Sequence, residues 1–447
     1  MSFRDEALCE FDRNEAYFAE RTSRDIEKYR KGTIRLDVTD AEGKPIPGVK
    51  IHAEQKTHDF RFGANLFMLD ELETEEKNRR YREIFADTFN MATLPFYWDD
   101  QEPERGKPRY AADSPKIYRR PPVDLCLDFC REHGIEPREH ALSYAKFFPK
   151  WTDGMTLPEM RRVYEAHCAE LAERYAETIR TIEVTNEHFT TFMHQRQDSI
   201  GRFYQAPDFI DNSFRTARKY FPHNQLVINE SIGEVFDDAR MQFSSRYFLL
   251  VQSALLRGVP IDAIGMQYHL FYRREAFVER SRYTLDPMNL FRCFDTLGSL
   301  HLPMQVTELT FPAFSDRPED EAMQAEILEK LYTLFFSIPQ MEQIVYWNLP
   351  DGYAAWAPLG DMTKGENYYY GGLIRHDFTE KPALETLRRL TKKTWHTSAQ
   401  TETGRAGTAA LTGFYGEYAL TLEHDGKITE KTVHLSKDGY PNVKIEL

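Results

Sequence analysis

Eight short apolar runs recur through the middle of the chain, each ending in polar residues. They are FRFGANL from residue 60, FNMATL from 89, PREHAL from 137, TIEVTNE from 181, QLVINES from 225, IDAIGMQ from 261, MQVTELT from 304 and QIVYWNLPDG from 343. Helix-like stretches separate them, such as PEMRRVYEAHCAELAERYAETIR before the fourth and EDEAMQAEILEKLYTLFFSI before the eighth. Strand, helix, strand at this spacing means parallel βα units. Eight such units close a (β/α)8 barrel, predicted here over residues 59–392.

The flanks have another rhythm. Residues 1–30 are rich in Glu, Arg and Lys and predict a surface helical segment. Ile34, Leu36, Val38, Val49 and Ile51 alternate with polar residues on either side of a Gly- and Pro-rich turn, the pattern of a hairpin. Residues 413–447 alternate in the same way, with Asp425-Gly426 and Asp438-Gly439 as turns. An isolated hairpin is marginal in water. Residues 31–58 and 413–447 are therefore expected to form one small β-sandwich, with the polar stretch 393–412 as a linker. The aromatics Phe414, Tyr415, Tyr418 and Tyr440 give that module only a weak claim to bind sugar, and a supporting role is expected.

The formal net charge of −14 argues against nucleic acid and anionic membrane as partners. No stretch approaches the ~20 apolar residues of a membrane span. The first 32 residues carry no apolar run of the kind a secretory leader needs. The five cysteines are scattered and read as free thiols, which suits a reducing compartment. The chain reads as cytoplasmic, or as secreted should a leader precede it. There is no Gly-rich phosphate loop and no ligand-spaced His/Cys set, so neither a cofactor nor a metal is expected. Oligomeric state is not legible.

Active sites of such barrels gather where the strands end. The fourth run ends in Asn186-Glu187, the fifth in Asn229-Glu230 and the sixth in Gln267-Tyr268-His269. The seventh ends in Thr307-Glu308, and the eighth carries Trp347 and leads to Trp356. Two carboxyl groups, amides, His and Trp on one rim are what glycoside hydrolysis requires. One acid protonates the leaving oxygen, while a second carboxylate attacks or holds a water. Aromatic rings, 13% of the chain, stack on the C–H face of a sugar.

In the same order along the chain, these motifs resemble family 10 glycoside hydrolases, the β-1,4-xylanase family. The carriers are FRFGAN, TLPFYWDDQEPERGKPRY, EHALSY, Val184-Thr185-Asn186-Glu187, IDAIGMQYHL, Thr307-Glu308-Leu309, Trp347 with Asp351-Gly352 and Trp356, and Lys381-Pro382-Ala383. The resemblance implies a retaining enzyme in which Glu187 is the acid/base and Glu308 the nucleophile. It implies that Asn186 binds a sugar 2-hydroxyl and that His269 orients Glu308. Gln267 and His140 would contact the sugar, and Trp347 and Trp356 would form walls. Tyr97, Trp98 and Tyr144 complete the expected substrate-binding set.

The chain departs from the family where relatives grip the sugar further from the bond. Leu94 and Tyr97 replace an Asn and a Lys, and Tyr144-Ala145 replace a Trp-His pair. The expected function is endo-1,4-β-xylanase-like hydrolysis of β-linked, xylose-containing glycans. An exo-acting or aryl β-glycosidase, or a non-catalytic carbohydrate-binding protein, are the alternatives. Poor activity on long linear xylan is expected if apolar groups line the distal site.

Overall fold

The computed structural model describes residues 2–189, 195–237, 239–439 and 442–447, so Tyr440 lies outside the described residues. Fifteen strands are named in chain order. The first two are β1 (Lys31–Thr39) and β2 (Lys50–Gln55). The central eight are β3 (Arg61–Asn65), β4 (Met91–Pro95), β5 (Glu136–His140), β6 (Thr181–Asn186), β7 (Gln225–Glu230), β8 (Ala263–His269), β9 (Met304–Thr310) and β10 (Met341–Tyr346). The last five are β11 (Ser398–Glu402), β12 (Thr408–Phe414), β13 (Gly416–His424), β14 (Lys427–Leu435) and β15 (Asn442–Glu446).

The eight runs read from the sequence form the closed barrel β10-β3-β4-β5-β6-β7-β8-β9, with parallel neighbours. Its strands are buried along nearly their whole length, which is why they read as continuous apolar runs and not as alternation. Local signals place the helices between them. Thr156 and Glu159 form a capping box at the start of Leu157–Tyr175. Gly134, at φ 65°, ends Val123–His133 in the left-handed conformation. Cys126 and Cys130 stand one turn apart on that helix, and all five cysteines are free thiols. Among the described residues no helix is long and apolar enough to cross a membrane.

The chain divides into two compact units. One holds Met1–Asn14, Phe62–Ile327 and Gln340–Ala383; the other holds Glu15–Arg61, Leu328–Pro339 and Leu384–Leu447. In the second unit, strands from both chain ends share two sheets, β12-β1-β15 and β11-β2-β13-β14. Ile34, Leu36 and Val38 of β1, Ile51 and Ala53 of β2, and Leu420 and Leu422 of β13 share one buried core. Every second residue faces inward. The stretch 393–412 is not a linker, a correction to the sequence reading. It contains β11, which pairs with β2, and most of β12, which pairs with β1. Gly407, at φ 67°, turns the chain between them. The N-terminal segment is three helices, Phe3–Ala7, Cys9–Arg13 and Glu15–Arg30.

Candidate active site

Two irregularities in the barrel aim the rim residues. Between β8 and β9 the register moves from Met266 opposite Val306 to Gln267 opposite Glu308, so one extra residue on β9 turns Glu308 toward Gln267. A like shift between β6 and β7 leaves Asn186 opposite Asn229. Glu187 follows directly, at φ 53°, a left-handed conformation that side-chain-bearing residues rarely adopt. Its N–H is tied to the Asn229 carbonyl at 3.1 Å, and the Glu230 carboxylate accepts from the next two backbone N–H groups, of His188 and Phe189.

Beneath the rim lies a buried polar network. Glu183 accepts from Arg138 and from His140 Nδ1, the latter at 2.9 Å. Burial raises Glu183, but His140 and Arg138 more than reverse this, and its carboxyl lies below the usual range. Burial lowers His140, but Glu183 outweighs it and raises the imidazole. His140 Nε2 reaches the Tyr97 hydroxyl at 3.2 Å. Asn229 Nδ2 donates to Asn186 Oδ1 at 2.9 Å, while Thr307 Oγ1 donates to Asn229 Oδ1 at 2.7 Å. His140, Glu183 and Glu308 bring ligand atoms within 4.8 Å of one another. Arg138 and His140 already neutralise Glu183, which makes this set an ion-pair network and not a metal cradle.

Both rim carboxylates meet at Gln267. Its Nε2 lies 3.2 Å from Glu187 Oε1, 3.0 Å from Glu308 Oε1 and 3.1 Å from Asn186 Oδ1. On Glu308, Oε2 contacts His269 Nε2 at 3.1 Å, and His269 Nδ1 contacts the Thr310 hydroxyl at 3.0 Å. Burial lowers His269 to about 4. The neutral ring has one N–H; when the Glu308 carboxylate is ionised, Nε2–H donates to it and Nδ1 accepts from the Thr310 hydroxyl. Burial pushes Glu308 up to about 8; His140 opposes the rise, and Glu183 and Glu187 add to it. Glu187 Oε1 accepts from the Tyr144 hydroxyl at 2.8 Å, and its Oε2 from Lys146 at 2.8 Å.

Above these groups opens a cavity of about 800 Å³. Of the residues expected from sequence, Tyr97, His140, Tyr144, Glu187, Gln267, His269, Glu308, Trp347 and Trp356 line it. Asn186 sits just below, its Nδ2 buried and without an acceptor. Trp347 meets the edges of Phe67, His140 and His269. Trp356, 71% exposed, faces the Phe147 ring at 6.4 Å and 24°. Trp98 departs from the expectation. Its indole is buried away from the cavity, stacked on His167 at 4.0 Å and donating to Glu102. Leu94 and Ala145 are buried and do not line the cavity, so they set no apolar surface for a sugar.

Sequence reasoning missed three cations in the lining, Arg119, Arg120 and Lys146. Arg120 lies over the Tyr97 ring at 3.8 Å and pairs with Asp100 at 2.7 Å. The adjacent basic pair Arg119-Arg120, in a loop without periodicity, was the only signal available. The motifs around Asp351 and Lys381 meet in a buried ion pair of 2.5 Å, and Asp351 Oδ1 accepts from the Gly372 N–H.

The family model described as Glycosyl hydrolase family 10 matches residues 53–389. Among curated relatives, the anti-sigma-I factor RsgI6 of Acetivibrio thermocellus is 23% identical over 90% of this chain and 46% of its own length. Endo-1,4-beta-xylanase B of Thermotoga neapolitana is 25% identical over 74% of this chain and 87% of its own. The chain thus spans less than half of the first relative and most of the second. Native xylanase 10B from Thermotoga maritima superimposes with a TM-score of 0.59 at 22% identity, over 75% of this chain and 96% of that one. Xylanase 10B from Thermotoga petrophila, solved in complex with xylobiose, gives a TM-score of 0.58 at 22% identity, over 75% of this chain and 95% of that one.

Proposed function

The chain belongs to glycosyl hydrolase family 10, and from that premise we propose that it is a retaining β-glycoside hydrolase of the endo-1,4-β-xylanase type. Glu187 is the acid/base and Glu308 the nucleophile. One observation carries the assignment: both carboxylates accept from the same Gln267 Nε2, at 3.2 and 3.0 Å. Those two oxygens are therefore within about 6 Å of each other, which suits the roughly 5–5.5 Å carboxyl separation of a retaining pair.

The pair shares a proton that must sit on Glu187 at the start of reaction. Glu308, held by Gln267 and His269, attacks the anomeric carbon as Glu187 protonates the departing oxygen. Glu187 then takes a proton from the water that releases the glycosyl-enzyme. The positive charge that develops on the sugar favours the Glu308 carboxylate against its burial. The unpaired Asn186 Nδ2 is the donor for a hydroxyl on the ring being cleaved, and leaving it empty costs about 1–3 kcal/mol. Trp347, Trp356, Phe147 and Tyr144 offer ring faces and edges to the substrate.

A second reading, carbohydrate binding without hydrolysis, is favoured by the RsgI6 relative, whose name describes a regulator. Retention of both carboxylates and of their donors supports catalysis instead. The test is hydrolysis of linear xylohexaose and an aryl β-xyloside, with the product anomer followed by NMR. A β anomer formed first, and loss of activity in Glu308→Gln, are expected. An α anomer, or full activity in Glu308→Gln, would overturn the assignment. Binding without turnover would establish the second reading. The ratio of kcat/KM on the two substrates tests the distal site, where a hundredfold preference for xylohexaose would refute selectivity for short or aryl glycosides.

A further inference from the structure

The cavity wall holds a charge that neither acid catalysis nor neutral-sugar binding explains. Arg119 is only 5% exposed, and it lines the cavity. Among the described residues no carboxylate pairs with it. Its two hydrogen bonds, to the Asn348 Oδ1 at 3.2 Å and to the Tyr353 carbonyl, both leave from Nη1. Among the described residues Nε and Nη2 have no acceptor. Glu366 also lines the cavity and acts on Arg119 through its charge, but it makes no ion pair with it; it accepts instead from Asn348 Nδ2 at 3.1 Å. Next to it Arg120 adds a second positive charge, with Nε spent on Asp100 and Nη1 on the Arg119 carbonyl. A guanidinium taken from water without an ionic partner is costly. Burial works against the charged form of Arg119; Glu366 opposes this in part, and Arg120 adds to it. The backbone of Arg119 also sits at φ 62°, outside the conformations ordinary residues prefer. In a chain of net charge −14, a buried arginine that makes no ion pair, turned into the cavity beside a second arginine paired with Asp100, calls for an anion from outside.

We propose that the cavity takes a carboxylate-bearing sugar, a uronic acid unit, with Arg119 as its principal ligand through Nε and Nη2 and Arg120 Nη2 beside it. The fork of N–H groups on one guanidinium edge matches a carboxylate bidentately, which a sugar hydroxyl cannot do. The flat walls suit the rest of the unit. Phe147 and Trp356 face one another, and the Tyr97 ring lies under Arg120. Lys146 is not part of this site, because Glu187 already holds it at 2.8 Å. The inference deepens the hydrolase reading of the same cavity and rests on it.

The test separates the two. Binding is measured by calorimetry on the full chain carrying Glu187→Gln, which suppresses turnover. The ligands are a xylotetraose bearing one glucuronic acid branch, a linear xylo-oligosaccharide ending in a uronic acid, the carboxyl-reduced alcohol of each, and plain xylotetraose. At least tenfold tighter binding of either acid than of its own alcohol is expected, and which acid wins tells whether the carboxylate comes from a branch or from the main chain. The preference should shrink between 50 and 500 mM salt and fall to within twofold when Arg119→Gln is added. Acid and alcohol bound within twofold of each other would overturn the proposal, as would an unchanged ratio in a folded Arg119→Gln variant. The acid–alcohol comparison on unaltered Arg119 decides the matter if that variant does not fold. Failure of the wild-type chain to hydrolyse any of these ligands would refute the hydrolase reading and leave the binding preference standing or falling by itself.

Discussion

Replacing Glu308 by glutamine should stabilise the protein, and the gain should depend on pH. An unfolded glutamate titrates near 4.5, while burial lifts the folded carboxyl to about 8. The folded state therefore binds this proton more tightly than the unfolded chain does. The associated stability is present below pH 4.5 and is lost as pH rises toward 8. A shift of that size corresponds to at most about 5 kcal/mol, at ~1.4 kcal/mol per pH unit. Water in the open cavity and a lost donor–acceptor match to His269 leave a net gain of about 2–4 kcal/mol above pH 8. Glutamine imitates the protonated acid, so almost no gain is expected at pH 4.5. Thermal unfolding of both proteins at pH 4.5 and pH 8.5 measures this directly. Groups distant from Glu308 titrate alike in both and cancel. A Tm rise of roughly 3–6 °C at pH 8.5, and under about 2 °C at pH 4.5, is expected for a barrel of this size. An equal rise at both pH values, or a larger one at pH 4.5, would refute the claim that a strained carboxylate is the source.

Three further outcomes follow from the geometry. The alkaline limb of kcat/KM should lie near pH 8, because the active pair keeps one shared proton and burial at Glu308 holds that proton up to about pH 8; a rate that keeps rising above about pH 9 would contradict this. Gly265→Ala would place a Cβ 2.8 Å from Asn229 Oδ1 and 3.0 Å from the Ile228 carbonyl, costing about 1–3 kcal/mol of stability and lowering kcat through the Asn229–Asn186 contact, both measurable by denaturant melts and steady-state kinetics. Lys381→Met should cost about 3–5 kcal/mol, since Asp351 would be left buried without a counter-charge, and the double variant Lys381→Met/Asp351→Leu should recover part of that loss in the same melts.

The barrel was legible because most of its strands are buried along their length and rich in apolar residues, β5 with its Arg138, Glu139 and His140 being the exception, and the helices between them carry ordinary caps such as Thr156 and Gly134. Glu187 and Glu308 were legible because each directly follows or closes such a run. The rest was hidden for local reasons. Trp98 begins a single helical turn, Trp98–Gln101, that carries its indole down onto His167 and away from the cavity, which no spacing rule reveals. Arg119 and Arg120 lie in a long connection without periodicity, and only the folded chain shows that their side chains enter the cavity. In β11 the sequence Ser398-Ala399-Gln400-Thr401-Glu402 has no large apolar residue to mark a strand. It is one through backbone pairing with β2, whose own Ile51 and Ala53 supply the core.

That pairing of chain ends also orders events during synthesis. Lys31 in β1 finds its partner at Phe414 in β12, and Gln55 in β2 finds Tyr418 in β13. At ribosomal speeds of about 5–20 residues per second, β1 and β2 wait roughly 20–80 seconds for the chain that completes their sheets. Through that interval their edges are unpaired, next to the apolar residues Ile34, Leu36 and Val38. The barrel strands, by contrast, acquire neighbours one after another as they emerge. A nascent chain arrested before residue 398 should therefore protect barrel amides from exchange while leaving β1 and β2 open to protease, and release of the last fifty residues should close them together.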